Sequence, residues 1–171
     1  MVAFRSVAVA VDGSAPSERA FASAVELAKL TSAPLAIVGV VPAPRVYSDQ
    51  GGAILEVLAE DRREFAALVK RSADSARAAG IRTVTTDVRE GAIVDEILAF
   101  LDQVHPDVVV LGARGLSTTS RLLLGSVSDG VLHHANCSVL VVRPEAKPRP
   151  AKSGSAPRSK VSARPRDSTR T

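Results

Sequence analysis

The 171-residue chain predicts a doubly wound α/β domain, a five-stranded parallel sheet with helices on both faces. Two observations carry that prediction. Strand-like and helix-like runs alternate along the chain, and most of the strand-like runs are apolar throughout, the pattern of strands buried on both faces.

The first such run, SVAVAV at residues 6–11, stops at Asp12, Gly13 and Ser14, and Pro16 opens a segment with helical spacing at Ala20, Val25, Leu27, Ala28 and Leu30. PLAIVGVV, 34–41, is a second buried-type strand, ended by Pro42 and Pro44 because proline cannot donate to a sheet ladder. Residues 45–52 read as a loop. Apolar residues then recur every three or four positions across 53–79, a long amphipathic helix with Gly80 as its stop. RTVTTDV alternates as an outer strand does, 91–104 reads as a helix, and PDVVVLG is an apolar strand ending at Gly112. A helix over 126–135 and a last strand, SVLVVR at 138–143, complete the series. In sheets of this kind ligands bind outside the C-terminal strand ends, where the strand order reverses. Orders 3-2-1-4-5 and 2-1-3-4-5 both fit the pattern, and both put the first strand beside the site.

Composition bounds the class of protein. Hydrophobic residues make up 46% of the chain, yet no apolar run approaches the roughly 18 residues that would span a bilayer. The N-terminal apolar run lacks a preceding basic stretch and reads as a strand rather than a signal peptide. One cysteine, Cys137, excludes an internal disulfide framework and fits a reducing, cytoplasmic setting. The formal charge of +4 is unevenly placed: residues 1–144 hold 14 Lys and Arg against 16 Asp and Glu, while 145–171 hold 8 against 2. Those last residues, rich in Pro, Ser and Arg, bury too little apolar surface to offset the entropy of ordering. A disordered basic tail is expected there, a solubilising extension or a weak contact for nucleic acid or an anionic surface.

The densest chemistry follows the fourth strand, in GARGLSTTSRLLLGS. The spacing is G-x-x-G, nine residues, then G-S. It is not a P-loop, which needs Lys where this chain has Ser126, and the dinucleotide pattern G-x-G-x-x-G would follow the first strand. Glycines 112, 115 and 125 let backbone N–H groups approach an anion, and Ser126 and Ser128 open a helix whose free N–H groups and dipole favour negative charge. Ser117, Thr118, Thr119, Ser120, Arg114 and Arg121 add donors. The bland alternative is a tight turn at Gly112 and Gly115, with Ser126 as a helix cap.

The pattern resembles the G-2x-G-9x-G-S/T motif of the ATP-binding branch of the universal stress protein family. VAVDGS is similar to that family's first-strand exit, GVV to its second, and CSVLVVRP to its last strand, so the resemblance spans residues 1–144. It implies a 3-2-1-4-5 sheet with ATP across the ends of strands one, two and four. By that resemblance Asp12 and the adjoining Gly13 lie beside the nucleoside, and the backbone of Val40 meets the adenine edge. Gly112, Ala113, Arg114, Gly115, Gly125 and Ser126 form the ribose and triphosphate loop, extended by the N–H groups of Val127 and Ser128. A carboxylate at Asp12 suits ribose hydroxyls or a Mg ion on the phosphates. The resemblance also implies a homodimer through the last strand, residues 138–143, which would cover an apolar edge.

Efficient phosphoryl transfer needs a positioned base, metal ligands and often a cationic finger. His105, His133 and His134 read as loop or helix-end residues, Lys29 and Lys70 as helix-surface residues, and Cys137 lies at a strand entrance away from the exits. The expectation is a nucleotide-dependent sensor or regulator in stress response. A slow adenine-nucleotide hydrolase and a dimeric scaffold that binds no nucleotide are the alternatives.

Overall fold

The computed structural model describes residues 4–43, 51–113 and 124–143, with the backbone alone over 51–57. Along them run β1 (Val7–Val11), α1 (Ala15–Thr31), β2 (Leu35–Pro42), α2 (Gly51–Ala78), β3 (Val84–Gly91), α3 (Ile93–Val104), β4 (Val108–Gly112), α4 (Ser126–His134) and β5 (Ser138–Val142). The strands make one all-parallel sheet in the order β3-β2-β1-β4-β5. That resolves the two orders the sequence pattern left open in favour of 3-2-1-4-5, with the reversal between β1 and β4.

The strands read as continuous apolar runs because both faces are covered. Along β1, Val7, Val9 and Val11 join a cluster with Ala20, Ala24 and Ala28 of α1 and Val69, Ala73 and Ala76 of α2. Ala8 points the other way, into a cluster with Ile97, Phe100 and Leu101 of α3 and Val131 of α4. The two-residue side-chain period of a strand thus feeds two cores from one sheet. Each fully buried Val, Leu or Ile contributes about 1.5–3 kcal/mol by leaving water. At the edge, β3 pairs only with β2, and Thr85 and Thr86 are exposed, which is why that strand alone lacks an apolar run.

Local chemistry sets the helix ends. Ser14 caps α1, its Oγ accepting from Ser17 N at 3.3 Å, and Pro16 sits in the first turn where its missing N–H costs nothing. At the other end, Ser32 takes a left-handed conformation and its N–H returns to the Ala28 and Lys29 carbonyls. Asp95 and Glu96 lie in the first turn of α3, favourable to its dipole.

Several boundaries differ from the sequence expectation. Helix α2 begins at Gly51, inside the expected loop, as the helix N-terminus carries two glycines that propensity penalises. Strand β3 continues to Gly91, paired with Pro42, and α3 begins at Ile93 rather than at Gly91. The extra residues of β3, Arg89, Glu90 and Gly91, offer no large apolar side chain. They are held by the ladder to β2 and by ion pairs of Arg89 with Asp87 at 2.9 Å and Arg62 with Glu90 at 3.5 Å. A last strand expected to include Arg143 ends at Val142.

Candidate functional site

The strand exits converge at the point of reversal. The β1–β4 ladder stops at Val9↔Val110, two residues before either strand ends, so Ala10 and Val11 part from Leu111 and Gly112. On the other side, β2 runs past its last β1 pair, Val11↔Gly39, by three residues, Val40, Val41 and Pro42. Backbone groups on the β1-facing edge of that overhang are therefore free of the β1 ladder. Val40 is itself buried, its side chain in the α3 core, so only its backbone is offered to the crevice.

Asp12 sits half-buried where β1 ends. It is a turn residue rather than the helix cap: its Oδ1 accepts from Ser14 N at 2.9 Å, while its own N–H donates to Ser17 Oγ at 3.0 Å. Gly13 follows with φ of +77°, a backbone conformation that L side chains rarely adopt. Leu68 of α2 lies 3.7 Å from the place a Gly13 Cβ would occupy, so α2 flanks this turn. The turn is fixed by two buried serines, Ser14, which the sequence reading placed in the turn, and Ser17, which it did not single out. A capping serine with proline two residues on was a legible signal for Ser14. Nothing in sequence spacing announces the Ser17 bond, which exists only once the turn has closed.

Gly112 ends β4. A Cβ there would stand 2.8 Å from both the carbonyl carbon and oxygen of Pro16. The absence of a side chain thus lets the first turn of α1 press on β4, a reason for glycine that is independent of any ligand. Ala113 N–H donates to Val142 O at 2.9 Å, and Gly125 N–H donates to Ala113 O at 2.8 Å, so the chain leaves and re-enters the site at one place. Arg114, Gly115, the hydroxyls of 117–120, Arg121 and the tail from 145 lie outside the described residues.

The N-cap of α4 is Gly125, without a side-chain cap bond, which corrects the alternative that Ser126 caps the helix. Ser126 is exposed in the first turn. The first intrahelical bond is Asp129 N–H to Gly125 O at 2.9 Å. The N–H groups of Ser126, Val127 and Ser128 precede it and have no acceptor among the described residues. Free N–H groups and the positive end of the helix dipole make this turn attractive to an anion. Ser128 is buried, at 3% exposure, and its hydroxyl donates to Gly112 O at 2.6 Å.

The remaining candidates lie elsewhere. Cys137, His105 and Asp102 border a shallow recess at the opposite, N-terminal end of the strands, and burial pushes the Cys137 thiol above its ordinary range. His133 and His134 are exposed at the C-terminal end of α4, each ring bonded to a helix carbonyl. Lys29 and Lys70 are exposed on their helices, Lys70 paired with Asp74 at 2.7 Å. Among the described residues no three His, Cys, Asp or Glu side chains converge to hold a metal ion, and no helix is long and apolar enough to cross a membrane.

A 3-2-1-4-5 parallel sheet, with a short turn after β1 and Gly125 bonded to Ala113 beyond the end of β4, defines a doubly wound α/β protein with its site at the reversal point. The Universal stress protein family profile matches residues 3–143, and the chain belongs to that family. It is 35% identical over 151 residues to a putative universal stress protein of Staphylococcus epidermidis, covering 86% of this chain and 89% of the relative. The universal stress protein UspA from Lactobacillus plantarum superposes with a TM-score of 0.76 at 24% identity, over 83% of this chain and 100% of its own. A universal stress protein in complex with cAMP superposes with a TM-score of 0.62 at 30% identity, over 82% of this chain and 98% of its own.

Proposed function

We propose that the protein binds ATP at the exits of β1, β2 and β4 and acts as a nucleotide-dependent sensor or regulator in stress response, in the cytoplasm. One observation carries the reading: the first turn of α4 offers the N–H groups of Ser126, Val127 and Ser128 without acceptors among the described residues, beside the motif residues Gly112, Ala113 and Gly125. Such a turn suits a phosphate group, with an exposed dipole contribution of about 0.3–1 kcal/mol added to several hydrogen bonds. Arg114 and Gly115 extend the loop in this reading. On the nucleoside side, the overhang at Val40 supplies backbone groups for the adenine edge, and Asp12 and Gly13 line the ribose. The cAMP carried by the 30% identical relative supports an adenine nucleotide as the class of ligand.

Mg fits only as a partner of the phosphates. One Asp12 oxygen accepts from Ser14 N, and among the described residues no three His, Cys, Asp or Glu side chains converge, so Asp12 would hold the ion together with the phosphates. When bound, the ion would neutralise phosphate charge. Among the described residues no cluster of metal-ligating side chains stands at the strand exits, which supports a sensor over an efficient hydrolase. Leu140 on β5 and Leu132 on α4 are among the exposed large apolar side chains, at 41% and 47%, and they support a homodimer through β5, from Ser138 towards Arg143.

The test is to denature freshly purified protein, identify any small molecule released, and titrate ATP by calorimetry. Adenine nucleotide in the supernatant, or a saturable ATP isotherm weakened by Asp12→Ala, is expected. No released nucleotide together with no ATP binding leaves the scaffold alternative standing. Multiple turnovers per second that vanish in Asp12→Ala would make the protein a hydrolase.

A further inference from the structure

Two hydrogen bonds fasten the start of α4 to the end of β4, Ser128 Oγ–H to Gly112 O at 2.6 Å and Gly125 N–H to Ala113 O at 2.8 Å. Gly112 is also the residue against which the first turn of α1 packs. One strand-end residue therefore touches both halves of the candidate site: α1, which follows Asp12 and Gly13, and α4, which carries the free N–H groups. The Ser128 hydroxyl has a single proton, and that proton is spent on Gly112 O, from a residue only 3% exposed. It is thus not available to donate to a phosphate.

We infer that Ser128 is a positioning residue, its hydroxyl acting as a pin that holds the α4 N-terminus against β4 so that the neighbouring N–H groups meet the phosphates in fixed geometry. This rests on the ATP-binding reading above and assigns the side chain a task distinct from ligand contact. Hydrogen bonds to an anion depend steeply on distance and angle, so slack of a few tenths of an ångström in α4 weakens several at once. The nucleoside half, built on β1 and β2, does not pass through this bond. The pin therefore separates the two halves of the ligand energetically.

The experiment compares wild type, Ser128→Ala and Ser128→Thr by calorimetry, with ATP titrated directly and adenosine measured through its competition with ATP. Ser128→Ala is expected to weaken ATP about tenfold, the scale of one buried hydrogen bond with its neighbours. Adenosine should stay within about twofold, and Ser128→Thr, which keeps the hydroxyl, should recover ATP affinity to within about threefold. Should Ser128→Ala fail to fold by circular dichroism, Ser128→Cys, nearly the same size with a far weaker donor, takes its place. Unchanged ATP affinity, equal loss for ATP and adenosine, or no recovery with threonine overturns the pin while leaving the ATP reading intact. Wild-type protein that binds ATP while adenosine fails to compete also overturns it. A wild type that binds no adenine nucleotide overturns the ATP reading and the pin together.

Discussion

Replacing Gly112 by alanine separates a packing role from a ligand role. The added Cβ would stand 2.8 Å from Pro16 C and O and 3.1 Å from Pro16 Cβ, where ordinary contact begins at 3.4 Å. The backbone of α1 cannot swing aside as a flexible side chain would, so helix and strand must part by about half an ångström. Overpacking of this kind costs about 1–3 kcal/mol, and the reduced freedom of the unfolded chain returns roughly 0.4–1 of it. A net loss of about 1–2 kcal/mol follows. Urea unfolding followed by circular dichroism should show a lower midpoint with an unchanged slope, because the surface exposed on unfolding is the same. A midpoint equal to that of wild type refutes the reasoning. If such a stable variant has also lost ATP binding, the glycine serves the ligand and not the helix contact.

Phe100→Ala should cost about 3–5 kcal/mol by the same assay, since the ring is 3% exposed in the α3 core and lies 5.6 Å beneath the Arg89 guanidinium. A loss under about 1 kcal/mol would mean the core repacks around the gap. Asp107 accepts from Arg5 N at 2.6 Å and Ser6 N at 3.1 Å, and these bonds, the Arg5 one first, hold its carboxyl below the ordinary Asp range. Its contribution is therefore present at neutral pH and lost as pH falls below about 4 toward the folded value. The stability gap between wild type and Asp107→Ala should shrink across that window, and a gap constant down to about pH 2 contradicts the assignment. Burial raises the Cys137 thiol, so iodoacetamide at about pH 8 should modify the native protein more slowly than the urea-unfolded chain. Equal rates would show the thiol to be open to solvent and unperturbed.

Much of the site was legible because its elements are local. Continuous apolar runs named the buried strands, and the turn at Asp12, Gly13 and Ser14 was readable from residues adjacent in the chain. The glycine spacing from Gly112 to Gly125 marked the loop without showing what each glycine touches. Where the reading erred, the signal was not local: β3 runs on to Gly91 because β2 offers it a ladder, and polar residues there are retained by ion pairs that no periodicity records. Asp12 was read as a contact beside the nucleoside, and the structure adds that its carboxylate already holds the turn through Ser14.

Sequence alone determined the alternation of strand and helix, the burial of most strands on both faces, and the family to which the glycine pattern points, since each follows from residues a few positions apart. Only the tertiary structure decided the strand order, the parting of β1 from β4, and the meeting at Gly112 of Pro16 from one helix and Ser128 from another. Those contacts join residues distant in the chain, and their energies exist only after the sheet has closed the distance.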